Sequence, residues 1–103
     1  MPQHHSKGEA MTKVIMNIDP ISSSIMYDCL NHSSDYDTCT IISTLTNVLV
    51  ETATRLCHPP SIYEKGHVRI DMPYSEKAAW MFETVFAVIQ QAAEQNPEHI
   101  RIY

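Results

Sequence analysis

A cysteine and a histidine lie close together in the first half of the chain, with a short polar loop between them. Cys39 falls in the first turn of a predicted helix, and His32 lies seven residues before it. The amide groups and the dipole at the start of a helix stabilise a thiolate, which is the nucleophilic form of cysteine. An imidazole within reach of the sulfur can act as a general base and later protonate a leaving amine. The pair is therefore a candidate for nucleophilic catalysis.

Three further side chains near this pair are candidates for supporting roles. Asp35 and Asp37 belong to the polar loop that precedes Cys39, where either carboxylate could orient the His32 imidazole or cap the helix. Ser43 follows Cys39 by one helical turn, and we expect its hydroxyl to pack against its own helix rather than face the site. On spacing alone, Cys39 also fits a small residue that fills the first turn, and His32 fits a solvated loop residue.

The cysteine count argues against disulfides and leaves zinc as a second interpretation. Cys29, Cys39 and Cys57 are an odd number, and we expect them to be reduced thiols, with Cys29 packed within a strand. Cys29 and His32 have the short spacing of a ligand pair, with Cys39 and the adjacent Cys57 and His58 as further candidate ligands. The predicted helix separates Cys39 from Cys57 by about 27 Å, so these two cannot share one ion. We therefore expect neither a metal nor a cofactor.

Composition and charge exclude several classes of partner. The 103 residues are 44% hydrophobic and 18% charged, which is typical of one small globular domain. The net charge is −5 and the basic residues are scattered, so we expect no direct nucleic-acid partner. We also expect no membrane partner and a cytoplasmic location, because no long apolar stretch or signal peptide is recognisable. We predict a flexible N-terminal extension over residues 1–11 and a single domain over 12–103.

The elements that would position the candidate pair follow from hydrophobic periodicity. The predicted strands cover residues 12–19, 25–30, 66–72 and 100–103, the first two pairing as a hairpin. The predicted helices cover residues 38–57 and 75–95, and a proline follows each of them closely. The order β-β-α-β-α-β predicts an α+β fold in which two helices pack on a mostly antiparallel sheet.

Each predicted helix has one apolar face that we expect to be buried. On the first helix these residues are Ile41, Ile42, Leu45, Val48, Leu49, Ala53 and Leu56. On the second they are Ala78, Met81, Phe82, Val85, Phe86, Ile89 and Ala92 or Ala93. Trp80 points elsewhere around the second helix, where it could form a subunit contact.

Three segments, together with the order of elements, resemble the Prp family of ribosomal-processing cysteine proteases over about residues 12–103. The segments are Asn31-His32-Ser33, Cys39-Thr40-Ile41-Ile42-Ser43 and the ending Gln95-Asn96-Pro97-Glu98-His99-Ile100-Arg101-Ile102. In that family a Gly-His-Ala triplet ends the second strand, a mobile loop follows, and a Cys-x-x-x-Ser sequence opens the first helix. The residues of this chain that match these and later family positions are His32, Cys39, Ser43, Gly66 and Pro97.

The resemblance implies a small homodimeric cysteine endopeptidase with Cys39 as the nucleophile and His32 as its base. Members of the family remove an N-terminal extension from a ribosomal large-subunit protein, and phage-encoded relatives process capsid or scaffold proteins. They are understood to cut after an aromatic residue, with the loop between histidine and cysteine rearranging to admit the peptide. The implied partner is therefore a protein substrate, and the corresponding loop in this chain is 33–38.

This chain departs from the family pattern at two places. Asn31 stands where the family has glycine, and we expect it to adopt the positive φ that asparagine tolerates better than most residues. Thr40, Ile41 and Ile42 are bulkier than the small residues that often follow the cysteine in the family. The rival interpretation is a dimeric ribosome- or capsid-associated binding module that has the same fold and no turnover.

Overall fold

The computed structural model describes residues 11–31 and 36–103. The strands are β1 (Thr12–Asp19), β2 (Ser24–Leu30), β3 (Ile62–Glu64), β4 (His67–Pro73) and β5 (Ile100–Ile102), and the helices are α1 (Tyr36–Arg55) and α2 (Glu76–Gln95). The α+β fold class and every predicted element are confirmed, and the structure adds β3, which periodicity did not predict. Within these two ranges, neither helix is long and apolar enough to cross a membrane.

The five strands form one sheet in the order β3-β4-β2-β1-β5. All neighbours are antiparallel except β1 and β5, which are parallel, so the prediction of a mostly antiparallel sheet is confirmed. Tyr27 lies at the centre of the sheet, where it pairs with Met16 on β1 and with Ile70 on β4. The two helices pack against each other, α1 also against β4 and α2 against β5.

One core lies between the helices and the sheet. Alternate strand residues face it, which is the period-2 pattern of a half-buried strand. The fully buried side chains include Val14, Ile25, Tyr27 and Ile70 from the strands, Leu49 from α1, and Phe82 and Ile89 from α2. Trp80 is 66% exposed, which confirms that it points away from this core.

Two residues predicted to face the core from α1 are instead exposed. Ile41 and Val48 are 43% and 39% exposed, whereas Ile42 and Leu49 are buried. Successive helical residues point about 100° apart. Ile42 and Leu49 therefore lie at the centre of the buried apolar stripe, and Ile41 and Val48 lie at its edge. The apolar stripe on α1 is therefore narrower than the sequence predicted.

The observed helix boundaries change one of the expected capping roles. Because α1 begins at Tyr36, Asp37 lies within its first turn, where its charge complements the helix dipole instead of capping the helix. The cap of α2 is Ser75, whose side-chain oxygen accepts a hydrogen bond of 3.1 Å from the amide of Ala78.

A hydrogen bond inside the core joins β2 to α1. Tyr27 Oη and Thr46 Oγ1 are 2.7 Å apart and both groups are buried. Burial is the largest cause that raises the pKa of the Tyr27 phenol, so this hydroxyl stays neutral. The bond fixes α1 over the sheet one turn beyond Ser43.

We expect Tyr27→Phe to lower the free energy of unfolding by about 1–2 kcal/mol, because it removes the bond and leaves the Thr46 hydroxyl in the core. Urea denaturation followed by circular dichroism measures the loss. The Tyr27→Phe/Thr46→Val pair should lose less stability than the two single variants added together, since it leaves no unmatched hydroxyl. If the losses of unfolding free energy in the two single variants add up to the loss in the double variant, the two hydroxyls are not coupled.

Candidate active site

A cavity of about 370 Å³ opens beside the first half of α1. Cys39, Ser43 and Asn47 line it from the helix, and their four-residue spacing places them on one side of α1. Ile42 and Thr46 also line it and are buried in the core. One side of the cavity is therefore a helical wall with Cys39 in its first turn.

The sheet supplies the rest of the lining. Cys29 from β2 and Val68 from β4 belong to it, as does the buried Thr12 from β1. Tyr63 on β3 and the turn between β3 and β4 complete the lining on the side away from the centre of the sheet. The lining is mostly apolar, which is the usual composition of a small-ligand or side-chain pocket.

Cys39 occupies the position that the sequence predicted. It is the fourth residue of α1, is partly buried, and contributes to the cavity. Its thiol therefore lies at the start of a helix and borders a space that a substrate side chain could enter.

The residues predicted to act together with Cys39 differ in where they lie. His32, Ser33 and Asp35 lie outside the described residues, so the pairing of His32 with Cys39 stays a prediction. Asp37 is exposed in the first turn of α1 and does not belong to the cavity lining. Ser43 is exposed and lines the cavity, whereas we expected it to pack against its own helix.

Asn31, the last described residue before His32, has φ 71°, as its replacement of a family glycine predicted. Its amide donates a 2.8 Å hydrogen bond to the carbonyl of Gly66, itself at φ 87° in the turn between β3 and β4. The Thr12 hydroxyl donates to the Asn31 carbonyl over 3.4 Å. These bonds fix the point at which the chain leaves β2 at the rim of the cavity.

Two of the three cysteines line the cavity, in different environments. No disulfide joins the three cysteines in the described part of the chain, and Cys29 is buried as predicted. Burial raises the pKa of the Cys29 thiol, while the hydroxyls of Thr46 and Tyr27 act in the opposite direction. Because a protonated thiol is a poor nucleophile, the environment of Cys29 disfavours it in that role. Cys57 follows the other end of α1 and is exposed.

A charged network lies on the opposite face of the sheet from Cys29. Asp28 accepts bonds from Arg69 Nη1 at 3.1 Å and pairs with His67 Nε2 at 2.8 Å. Arg69 also contacts Asp71 at 2.8 Å, and the resulting hydrogen bond is the main cause that lowers the pKa of the Asp71 carboxyl. The network ties the start of β4 to β2, and its member His67 is also among the residues that line the cavity. Periodicity placed His67 on a strand but gave no indication of these contacts.

Of the candidate zinc ligands, Cys29, Cys39, Cys57 and His58 lie in the described part of the chain. Within residues 11–31 and 36–103, no group of three or more His, Cys, Asp or Glu side chains could hold a metal ion. Cys29 and Cys39 do share the cavity, while Cys57 lies beyond the far end of α1, as the helix length predicted.

Sequence reasoning missed Asn47 and Tyr63, which complete the cavity away from Cys39. Tyr63 Oη donates a 3.3 Å hydrogen bond to Asn47 Oδ1, joining β3 to α1. The polar spacing of Cys39, Ser43 and Asn47 is a signal that could have predicted the helical wall. Nothing comparable indicated Tyr63, because β3 is too short to show periodicity.

Comparison with solved structures shows the same fold in two bacterial proteins. SMU.848 from Streptococcus mutans has a TM-score of 0.71 at 22% identity, over 91% of this chain and 93% of that one. The ribosomal processing protease Prp of S. aureus, in complex with a substrate peptide, has a TM-score of 0.70 at 18% identity, over 90% and 98%. The same protease with a covalently linked product peptide gives 0.71 at 20%, over 89% and 97%. A scan of protein-family models and a sequence search of curated proteins find no match.

Proposed function

We propose that this chain is a cysteine endopeptidase with a Cys39 thiolate nucleophile and a His32 base. The observation that carries the proposal is the position of Cys39, in the first turn of α1 and on the wall of the cavity. The fold shared with the S. aureus protease, which binds a substrate peptide, adds support. The proposed substrate is a ribosomal large-subunit protein, from which an N-terminal extension is removed, or a phage capsid or scaffold protein.

The proposed reaction has two stages. The Cys39 sulfur attacks the carbonyl carbon of the scissile peptide, and the oxyanion that forms is stabilised by backbone amides at the start of α1. The C–N bond then breaks, and the protonated His32 gives its proton to the leaving amine, which leaves a thioester on Cys39. Water, deprotonated by His32, attacks the thioester, and the Cys39 thiolate is expelled with release of the new carboxyl terminus.

The cavity and the charge of the chain suit a peptide segment of a basic protein. A volume of about 370 Å³ is near the lower end for ligand pockets, so it can hold a side chain of an extended segment but not a folded domain. A net charge of −5 favours encounter with a basic partner, as ribosomal proteins commonly are. In this proposal Ser43 contributes to the helical wall, and Asp35 or Asp37 supports the imidazole. The homodimer stays a prediction.

Alkylation by iodoacetamide at pH 7, read by peptide mass spectrometry, tests the nucleophile. We expect Cys39 to be labelled at least about tenfold faster than Cys57, because the proposed mechanism requires Cys39 to react as a thiolate after His32 has accepted its proton. Cys29 should be the slowest, since it is buried and its pKa is raised. His32→Ala should slow the labelling of Cys39 and leave Cys57 unchanged.

Turnover is tested in parallel with a proteome-derived peptide library, in which new amino termini identify each cleaved bond. Cleavage by the intact chain at a recurring side chain is the result we expect. Equal labelling of Cys39 and Cys57 with no new amino termini would contradict the protease and favour the binding module.

A further inference from the structure

We infer that Tyr63 and Asn47 close the far end of the cavity and limit the size of the substrate side chain that it accepts. The inference rests on the proposed function, because it takes the cavity to be the pocket for a residue beside the cleaved bond. It assigns a specificity role to two residues outside the proposed catalytic pair.

The position of Asn47 relative to Cys39 gives the cavity its length. The two residues lie on the same side of α1, with Ser43 between them, and about 12 Å of helix separates them. A side chain that enters next to Cys39 therefore runs along the helix toward Asn47. A single-ring side chain fits within that length, whereas a two-ring side chain approaches its limit.

Tyr63 reaches Asn47 from the other side. It lies on the edge strand β3 opposite Val68 of β4, which also lines the cavity. The 3.3 Å bond from Tyr63 Oη to Asn47 Oδ1 spans the space between the edge of the sheet and α1. The phenol ring thus forms a barrier that is held at both ends, by the strand and by the hydrogen bond.

This barrier is adjustable by mutation, because both residues are at the surface. Tyr63 is 62% exposed and Asn47 is also exposed, so neither belongs to the core that holds the fold together. Tyr63→Ala would remove the ring and extend the cavity beyond Asn47. Tyr63→Phe would keep the ring and remove only the hydroxyl that anchors it.

Matched peptides that differ only in the residue preceding the cleaved bond test the inference. The residues to compare are leucine, phenylalanine and biphenylalanine, in a sequence taken from the library cleavage sites or, if no peptide is cleaved, from a library peptide that binds Cys39→Ala. We expect Tyr63→Ala to raise the kcat/KM ratio of biphenylalanine to leucine by at least about tenfold, in line with the selectivity that a few carbon atoms give in an apolar pocket. Asn47→Ala and Tyr63→Phe should raise it less.

Tyr103→Ala is the matched control, since Tyr103 is 59% exposed and does not line the cavity. Its ratio should equal that of the unmodified chain, and circular dichroism should show every variant folded. The same peptides are also titrated into Cys39→Ala, with and without Tyr63→Ala. These titrations measure how Tyr63 affects peptide affinity in the absence of cleavage.

The two measurements separate the inference from the function on which it rests. In cleavage, a biphenylalanine-to-leucine ratio in Tyr63→Ala equal to that in Tyr103→Ala would overturn the size limit. In binding, equal affinity ratios in Cys39→Ala with and without Tyr63→Ala would do the same. Either result would leave a chain that cleaves peptides a protease. Failure of the unmodified chain to cleave any peptide would overturn the protease, and a Tyr63-dependent shift in binding would still support the size limit. Absence of both cleavage and peptide binding would overturn both.

Discussion

Cys39→Ala is expected to lower kcat/KM for peptide cleavage by at least about 10³-fold, because Cys29, the other thiol that lines the cavity, is buried and has a raised pKa, which disfavours it as a nucleophile. Peptide affinity should stay within about threefold, since alanine removes one sulfur atom from a cavity whose remaining lining is unchanged. Cleavage is measured with the best peptide from the library, and affinity by titration of the same peptide under conditions where no product forms.

Cys57→Ala is the control for this substitution. Cys57 is an exposed thiol beyond the other end of α1, so its loss should change neither cleavage nor binding. Substantial cleavage by Cys39→Ala would contradict the proposed nucleophile. A loss of peptide binding equal to the loss of cleavage would instead indicate that Cys39 acts mainly by holding the peptide.

The position of Cys39 could be predicted because it depends on local sequence. The loop residues before it, the apolar period after it and the prolines beyond Cys57 together define one helix and place Cys39 at its start. The positive φ of Asn31 was predictable for a similar reason, since the resemblance supplied a glycine position and asparagine is among the residues that tolerate this region. Both inferences needed no knowledge of distant contacts.

The far end of the cavity could not be predicted, because it depends on contacts between distant segments. Tyr63 and Asn47 are sixteen residues apart, and their hydrogen bond exists only because β3 joins the edge of the sheet beside α1. A strand of three residues has too few alternations to be distinguished from a loop. The exposure of Ile41 and Val48 likewise depends on how α1 is oriented about its own axis where it packs against the sheet.

The sheet and α1 supply the cavity with walls of different kinds. The wall formed by α1 is fixed by core residues on the same helix, above all Leu49 and the bond between Thr46 and Tyr27. The wall formed by β3 depends on its pairing with β4 and on the exposed bond of Tyr63. Substitutions in the core should therefore alter how much folded protein is present, whereas substitutions at Tyr63 should alter which peptides it selects.

Phe82→Ala is the core substitution with the largest expected effect on stability. Phe82 lies on α2 and has no exposed surface, so its loss should lower the free energy of unfolding by about 3–5 kcal/mol. That is a large fraction of the roughly 5–15 kcal/mol that stabilises a typical domain. Urea denaturation followed by circular dichroism measures the change.

Phe86→Ala provides the comparison, because Phe86 follows by one turn of α2 and is only partly buried against the same core. It should lose clearly less stability than Phe82→Ala, since fewer contacts disappear and water already reaches the side chain. Cleavage by Phe82→Ala should fall in proportion to its folded fraction, with the preference among leucine, phenylalanine and biphenylalanine unchanged, because neither Phe82 nor Phe86 lines the cavity. An altered preference would show that α2 shapes the cavity through α1, against which it packs.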